Sequence, residues 1–325
     1  MADQRGGIFV KGVVGAMSAM AMLATAQNFP TKPMRLVVGY TPGGAVDFTA
    51  RLIGQKMTEM IGQPVVIENR PGASTAIATE KVANAGADGY TLLLIPTSTA
   101  IQSALRKKLP YDLDKDFSAI SLLAVGPFAL IVHPSVPVKT VAELIRYAKD
   151  HSGQLSVASP GVGSANHLAA ELFNMRTKSS ILHVPYKGSG EAVVAVASAQ
   201  TPMSLPSMAS VLSLIEAGRV RALAVTSLVR VSSLPSVPTL DESGLPGFDY
   251  AAWYGVHAPA GVSLSIVNQL NGLILKILQL PEVKETFHKQ GMESQASTPL
   301  EFHQRIKNEI ALSRKLLQLA GIKPE

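Results

Sequence analysis

The 325-residue chain has no cysteine. That absence excludes disulfides, thiolate catalysis, zinc–cysteine sites, iron–sulfur clusters and lipid attachment at an N-terminal cysteine. Charge is also scarce: Asp, Glu, Lys and Arg make up 16% of the residues, against a typical ~25%. With 47% hydrophobic residues, the composition excludes intrinsic disorder and specifies a folded chain of about two domains. The net charge of +6 is not concentrated. Arg106-Lys107-Lys108 is the longest basic run, and few aromatics accompany it, so nucleic-acid binding has no support. A mildly cationic surface favours the approach of small anions, although it serves solubility equally well.

Several catalytic signatures are missing too. There is no G-x-x-x-x-G-K-[ST], and Gly161-Val162-Gly163 lacks the third glycine of a dinucleotide fingerprint. Neither Gly163-Ser164-Ala165 nor Gly188-Ser189-Gly190 has the outer spacing of a nucleophile elbow. The histidines at 133, 151, 167, 183, 257, 288 and 303 show no metal-ligand spacing. The reading is therefore of a chain that is not an enzyme and carries no cofactor or metal.

At the N-terminus, Arg5 and Lys11 precede an apolar or small run from Gly12 to Ala26 that ends Ala24-Thr25-Ala26. The run is shorter than the ~20 residues that span a bilayer, and Ala-x-Ala suits a signal peptidase. Residues 1–26 are expected to be an export leader, with Gln27 opening the mature chain.

Short apolar runs at Leu36–Val38, Val65–Ile67, Thr91–Ile95, Leu130–Val132, Ser156–Ala158, Ile181–Val184 and Ala222–Val225 read as strands. Most are continuous rather than alternating, and helix-period segments separate most of them, which predicts an α/β fold with parallel sheets covered on both faces. Thr140 with Glu143 and Thr298 with Glu301 are capping boxes. Pro281 and Gly291 bracket another helix, and the Pro/Gly-rich stretch Leu234–Gly247 reads as a domain boundary.

The loops that follow the strands are small and hydroxyl-rich: Thr41-Pro42-Gly43-Gly44, Thr97-Ser98-Thr99, Ser159-Pro160-Gly161-Val162-Gly163-Ser164 and Lys187-Gly188-Ser189-Gly190. At the carboxyl edge of a parallel sheet, each leads into a helix whose first amides lack intrahelical partners. Those amides and the helix dipole favour an anion, and glycine admits it to the backbone. Four such loops predict an anion cleft. His167, in the first turn after Ser164, is placed to donate to a ligand oxygen or to bond neighbouring backbone. Asp47 is placed to satisfy amides or hold water, and Lys187 to pair with a carboxylate or lie in solvent. Tyr40 and Trp253 are candidate cleft walls or core.

Pro42-Gly43-Gly44-x-x-Asp47, Glu68-Asn69-Arg70-Pro71-Gly72, Asp88-Gly89-Tyr90-Thr91-Leu92-Leu93, Val184-Pro185-Tyr186-Lys187-Gly188 and Arg221–Thr226 occur in order. Leu245-Pro246-Gly247-Phe248 and Ala258-Pro259-Ala260-Gly261 follow. From about Phe29 to Glu325 this pattern resembles the Bug family, the periplasmic substrate-binding proteins of tripartite tricarboxylate transporters. The resemblance implies a periplasmic-binding-protein type II-like fold of two Rossmann-like lobes, with mainly parallel sheets and an interdomain ligand cleft. Residues 27–125 plus 248–325 would form one lobe and 126–247 the other.

The resemblance also implies a monomer that takes a small organic carboxylate in the periplasm and delivers it to integral membrane permease subunits. The ligand-binding residues it carries over, joined to the reading above, are Tyr40, Thr41, Gly43, Gly44, Asp47, Thr97, Ser98, Thr99, Gly161, Gly163, Ser164, His167, Lys187, Gly188 and Ser207. This chain departs from the pattern at Ser74-Thr75-Ala76-Ile77-Ala78, where relatives often read Gly-Gly-Asn-Ile-Gly. Amino-acid-binding relatives can place an acid near Pro206 or Ser207; none stands here, so a ligand without an amine is expected. The alternatives are a ligand sensor that presents its closed form to a receptor kinase and, further off, a periplasmic enzyme.

Overall fold

The computed structural model describes residues 29–319 and 321–322; the expected leader lies outside them. The chain lays down β1 (Met34–Val38), α1 (Ala45–Ile61), β2 (Val65–Asn69), α2 (Ala76–Ala83), β3 (Thr91–Pro96), α3 (Thr97–Leu105) and β4 (Phe117–Pro127). It then crosses to a second unit made of β5 (Ala129–Val132), α4 (Val141–Asp150), β6 (Ser156–Ser159), α5 (Ala165–Thr177), β7 (Leu182–Pro185), α6 (Ser189–Ala197), β8 (Met203–Ser204), α7 (Met208–Glu216) and β9 (Arg221–Val225). It returns through β10 (Ala251–Pro259) and finishes with α8 (Leu264–Gln279), α9 (Pro281–Lys289), β11 (Glu293–Ser294) and α10 (Pro299–Leu319).

Two sheets result, one in each lobe, ordered β11-β4-β10-β3-β1-β2 and β7-β6-β8-β5-β9. Strand alternation divides the apolar residues between the faces. Leu36 and Val38 of β1 join Ile53 and Met57 of α1 and Leu270 and Ile274 of α8, whereas Val37 joins Val82 of α2 and Phe302 and Ile306 of α10. In the second lobe Leu130 and Val132 face α4 and α5, and Ala129 and Ile131 face α6 and α7. Helices on both faces explain the continuous apolar runs.

The α/β class and the two-lobed fold hold, but the sheets are mixed rather than mainly parallel. Among the described residues, only β1–β2, β1–β3, β6–β7 and β6–β8 pair in parallel. β10 runs antiparallel to β3 and β4, and β5 antiparallel to β8 and β9. A continuous run reports cover on both faces, which the antiparallel strands also have, so it cannot report direction.

Helix ends follow their local chemistry. The Thr140–Glu143 box is complete, with both reciprocal bonds formed. Thr298 and Glu301 likewise exchange bonds at the start of α10. Pro281 opens α9, and Gly291 follows it in the left-handed region.

Candidate ligand cleft

The two lobes meet along the edge where β1, β3, β6, β7 and β8 give way to loops. Five helices, α1, α3, α5, α6 and α7, begin there. Four of them, α1, α3, α6 and α7, carry no side-chain cap at the N-terminus, so first-turn amides stay open to other acceptors. Residues of all five starts line one cavity of about 20 Å³: Val46, Ser98, Asn166, Ser189 and Ser207 are among them. Phe128, at the crossing between sheets, lines it too, as do Tyr40 and Tyr254. Such a volume holds about one water molecule, so the lobes are in contact here.

That contact has a reciprocal form. The Ser98 hydroxyl of α3 accepts the first amide of α5, Ala165 N–H, at 3.1 Å, and the Ser210 hydroxyl of α7 accepts the first amide of α1, Ala45 N–H, at 3.1 Å. Each lobe supplies an oxygen to the other lobe's helix end. Glycines permit the approach. A Cβ at Gly188 would fall on the Thr41 hydroxyl, and one at Gly44 would sit 3.4 Å from Ser189 Cβ.

Among the described residues, no Lys, Arg, Asp or Glu lines the cavity. Its polar groups are amides, hydroxyls and phenols. Burial pushes the Tyr40 phenol up to about 12, against a weaker opposing pull from the neighbouring Ser98 hydroxyl. The Tyr40 oxygen is buried without a hydrogen-bond partner of good geometry. Burial raises Tyr254 too. Both phenols therefore remain protonated and able to donate near neutral pH.

Tyr40, Thr97, Ser98 and Ser207, all anticipated from sequence, border the cavity. Thr97 is also tied to β10, accepting from Trp253 N–H at 2.7 Å. Thr41, Gly43, Gly44 and Gly188 do not line the cavity; Gly188 faces Thr41 and Gly44 faces Ser189 across the lobes, and the Thr41 hydroxyl is buried and unpartnered.

Other anticipated residues stand behind it. Asp47 is clamped: Gly43 N–H, Arg51 and Asn69 all donate to its carboxylate. Burial works to raise it, but those bonds and the Arg51 charge outweigh burial and hold it low. Thr99 bonds Thr75 at 2.9 Å. Ser164 caps α5 by accepting His167 N–H. His167 accepts Gly163 N–H at Nδ1, faces Glu171 at Nε2 and stacks on His183 at 3.8 Å. Its ring therefore braces the glycine loop. Lys187 is exposed, and Gly161 and Gly163 pack against Ser74 and Gln102 of the first lobe, beside the cavity.

Trp253, a candidate wall, points away: its indole donates to Glu309 at 3.1 Å and packs edge-on against Phe302. Ser189 belongs to the Lys187–Gly190 loop expected at the cleft and lines it; Tyr254, Asn166, Ser210 and Phe128 were not singled out from sequence. An amide in the first turn after a glycine loop was the available signal for Asn166; Ser210 and Phe128 carried none.

A model described as "Tripartite tricarboxylate transporter family receptor" matches residues 49–322. Protein BugT of Bordetella pertussis is 35% identical over 97% of this chain and 97% of its own length. Among solved structures, an R. palustris protein with adipate has a TM-score of 0.90 at 35% identity, covering 92% of this chain and 100% of the other. MatC from Rhodopseudomonas palustris with bound malate has a TM-score of 0.84 at 32% identity, covering 89% and 100%.

Proposed function

The chain belongs to the tripartite tricarboxylate transporter receptor family, and from that membership we propose that it captures a small, amine-free organic carboxylate between its lobes and hands it to membrane permease subunits. The observation that carries this reading is the charge-free cavity into which five helix N-termini converge. A carboxylate there is stabilised by open amides and helix dipoles, and by phenols that stay protonated. Ser98 and Ser210 now give hydroxyl oxygens to Ala165 and Ala45 amides; a ligand carboxylate would offer negatively charged oxygens in place of neutral ones, and so make the stronger bonds.

Ligand entry requires the lobes to part, because the cavity of about 20 Å³ is far below the roughly 300 Å³ of an ordinary ligand pocket. Capture is then an equilibrium between open and closed forms, shifted by whatever affinity the closed form has in excess. No bond is made or broken. Relatives of solved structure carry adipate and malate, both without an amine, and no acid stands at Pro206 or Ser207 to meet an ammonium group.

The same reading takes residues 27–125 with 248–325 as one lobe and 126–247 as the other. It also takes residues 1–26 as a leader that delivers a monomer to the periplasm; no helix among the described residues is long and apolar enough to cross a membrane.

Thermal unfolding of the chain from Gln27 onward, refolded to strip carried-over ligand, tests the proposal against mono-, di- and tricarboxylates, aromatic acids and amino acids. A saturable rise in midpoint with one amine-free acid class is the expected result. A rise with glutamate or aspartate alone would overturn the amine-free assignment, and no rise with any acid would overturn the reading.

A further inference from the structure

The basic run Arg106-Lys107-Lys108 follows α3 and borders a surface recess of about 710 Å³ in the first lobe. Lys307 and Arg314, on α10, line the same recess, so cations face it from two separate elements. Asp112, Asp114 and Asp116 line it too, but each of these acids is already engaged. Asp112 accepts Asp114 N–H at 2.9 Å and pairs with Lys115 at 3.2 Å. Asp114 lies 3.1 Å from both Lys307 and His303. Asp116 accepts Asp112 N–H at 2.7 Å.

The other cations have no such partner. Lys107, Lys108 and Arg314 are exposed and form no ion pair among the described residues. Arg106 gives its Nε to a neutral amide, Gln102 Oε1, at 2.8 Å. Uncompensated positive charge therefore surrounds the recess, and carboxylates of a partner would make charge-assisted bonds there. Leu109, Leu113 and Ile310 set apolar surface between the charges. A recess takes a narrow chain segment, whereas the flat face of a bilayer meets a convex patch. The chemistry it fits is an extended acidic peptide with apolar residues among its acids.

The position of the recess bears on which protein supplies that peptide. α3 reaches the second lobe through Gln102, one turn before Arg106, whose Nε2 donates to Val162 O at 2.9 Å. α10 runs on from Arg314 to Leu316 and Leu317, which meet Leu168 and Leu172 of α5 in the second lobe. Both walls of the recess thus continue into the seam between the lobes. A segment docked there lies beside the parts that shift when the lobes separate, which suits a membrane protein that takes ligand from the cleft.

Building on the proposed delivery role, we infer that this recess docks an acidic, partly apolar segment of the membrane permease. The test compares the mature protein with two variants of equal charge change. One is Lys107→Glu/Lys108→Glu/Arg314→Glu, in the recess; the other is Lys139→Glu/Lys149→Glu/Arg219→Glu, at exposed positions of the second lobe. The first probe is a fluorescent peptide of alternating Glu and Leu, followed by anisotropy. The recess variant should bind it about tenfold more weakly, and the control variant should match the unaltered protein. Equal weakening in both would reduce the effect to net charge and overturn the inference, as would no weakening in either. The second probe is a phosphatidylglycerol vesicle. Sedimentation with vesicles that is lost in the recess variant, with no binding of the peptide, would assign the recess to a lipid surface and overturn the inference.

In cells that carry the permease, the recess variant should take up the acid that gives the largest thermal shift about tenfold more slowly, while its calorimetric affinity for that acid is unchanged. Unchanged uptake would overturn the inference. Failure to bind any acid would count against the carboxylate reading instead, and the peptide comparison, which needs no acid, still decides the docking surface.

Discussion

Trp253 and Tyr254 are neighbours on β10, yet they serve opposite faces of the first sheet. The indole donates to Glu309 at 3.1 Å on the α10 side, and the phenol lines the interlobe cavity. The two-residue period of a strand imposes this division, and it separates stability from binding between adjacent positions.

Trp253→Phe should therefore lower stability and leave ligand affinity alone. It removes the donor to Glu309, whose carboxyl is buried and pushed upward by that burial, so a loss of about 1–3 kcal/mol is expected. Tyr254→Phe should do the reverse, weakening the bound acid about tenfold with little change in the ligand-free midpoint. Urea unfolding and calorimetric titration of both variants check the pair.

Gly188→Val should block closure. Gly188 has φ −170°, an extended conformation open to any residue, so the substitution tests space alone: its Cβ falls on the Thr41 hydroxyl across the cleft. Calorimetric titration should show ligand affinity reduced by about tenfold or more. Gly163 is a poorer probe, because its φ of 69° adds backbone strain to the collision.

Removing the Asp47 carboxylate should loosen the Pro42-Gly43-Gly44 loop rather than delete a ligand contact. Asp47→Ala unties Gly43, Arg51 and Asn69 together, and a stability loss of about 1–3 kcal/mol is expected, with a smaller fall in affinity. An affinity loss without any stability loss, read by the same two measurements, would instead make Asp47 a direct ligand group.

Stability should fall as pH drops below about 6.5. Burial, followed by the nearby His167 charge, lowers His183 to about 4. Burial, followed by the His303 charge, lowers His257 to about 3. In the unfolded chain both titrate near 6.5, so between roughly 4 and 6.5 the unfolded state binds more protons and stability rises with pH. Glu309, raised by burial, works in the opposite sense above the ordinary carboxylate range, one group against two. His257 lies between Phe117 and Phe302 with both ring nitrogens unpartnered; His257→Leu should flatten the slope of the urea midpoint against pH.

The strands that sequence exposed were those with uninterrupted aliphatic residues, such as Leu92–Ile95 in β3. β10 escaped notice because Ala251–Pro259 mixes aromatics with Gly255 and His257; it is a strand because β3 and β4 flank it on both sides. At the cleft, glycine and hydroxyl loops were legible because composition and helix starts reveal free amides. Side-chain direction was not. Asp47, His167 and Lys187 stand one turn or one loop from the cavity, and whether each turns inward depends on Arg51, Gly163 and solvent, none of which a local motif specifies. Ser210 lay beyond reach for another reason: its partner amide, Ala45, belongs to the other lobe, and no local pattern pairs them.

The most direct test of the central claim is the interlobe distance between labels at Lys108→Cys and Arg219→Cys, followed while titrating the acid that gives the largest thermal shift. A single distance, shorter than that of the open form, should grow in saturably with the same midpoint as calorimetric binding. Saturable binding of that acid with no change in the distance distribution would contradict it.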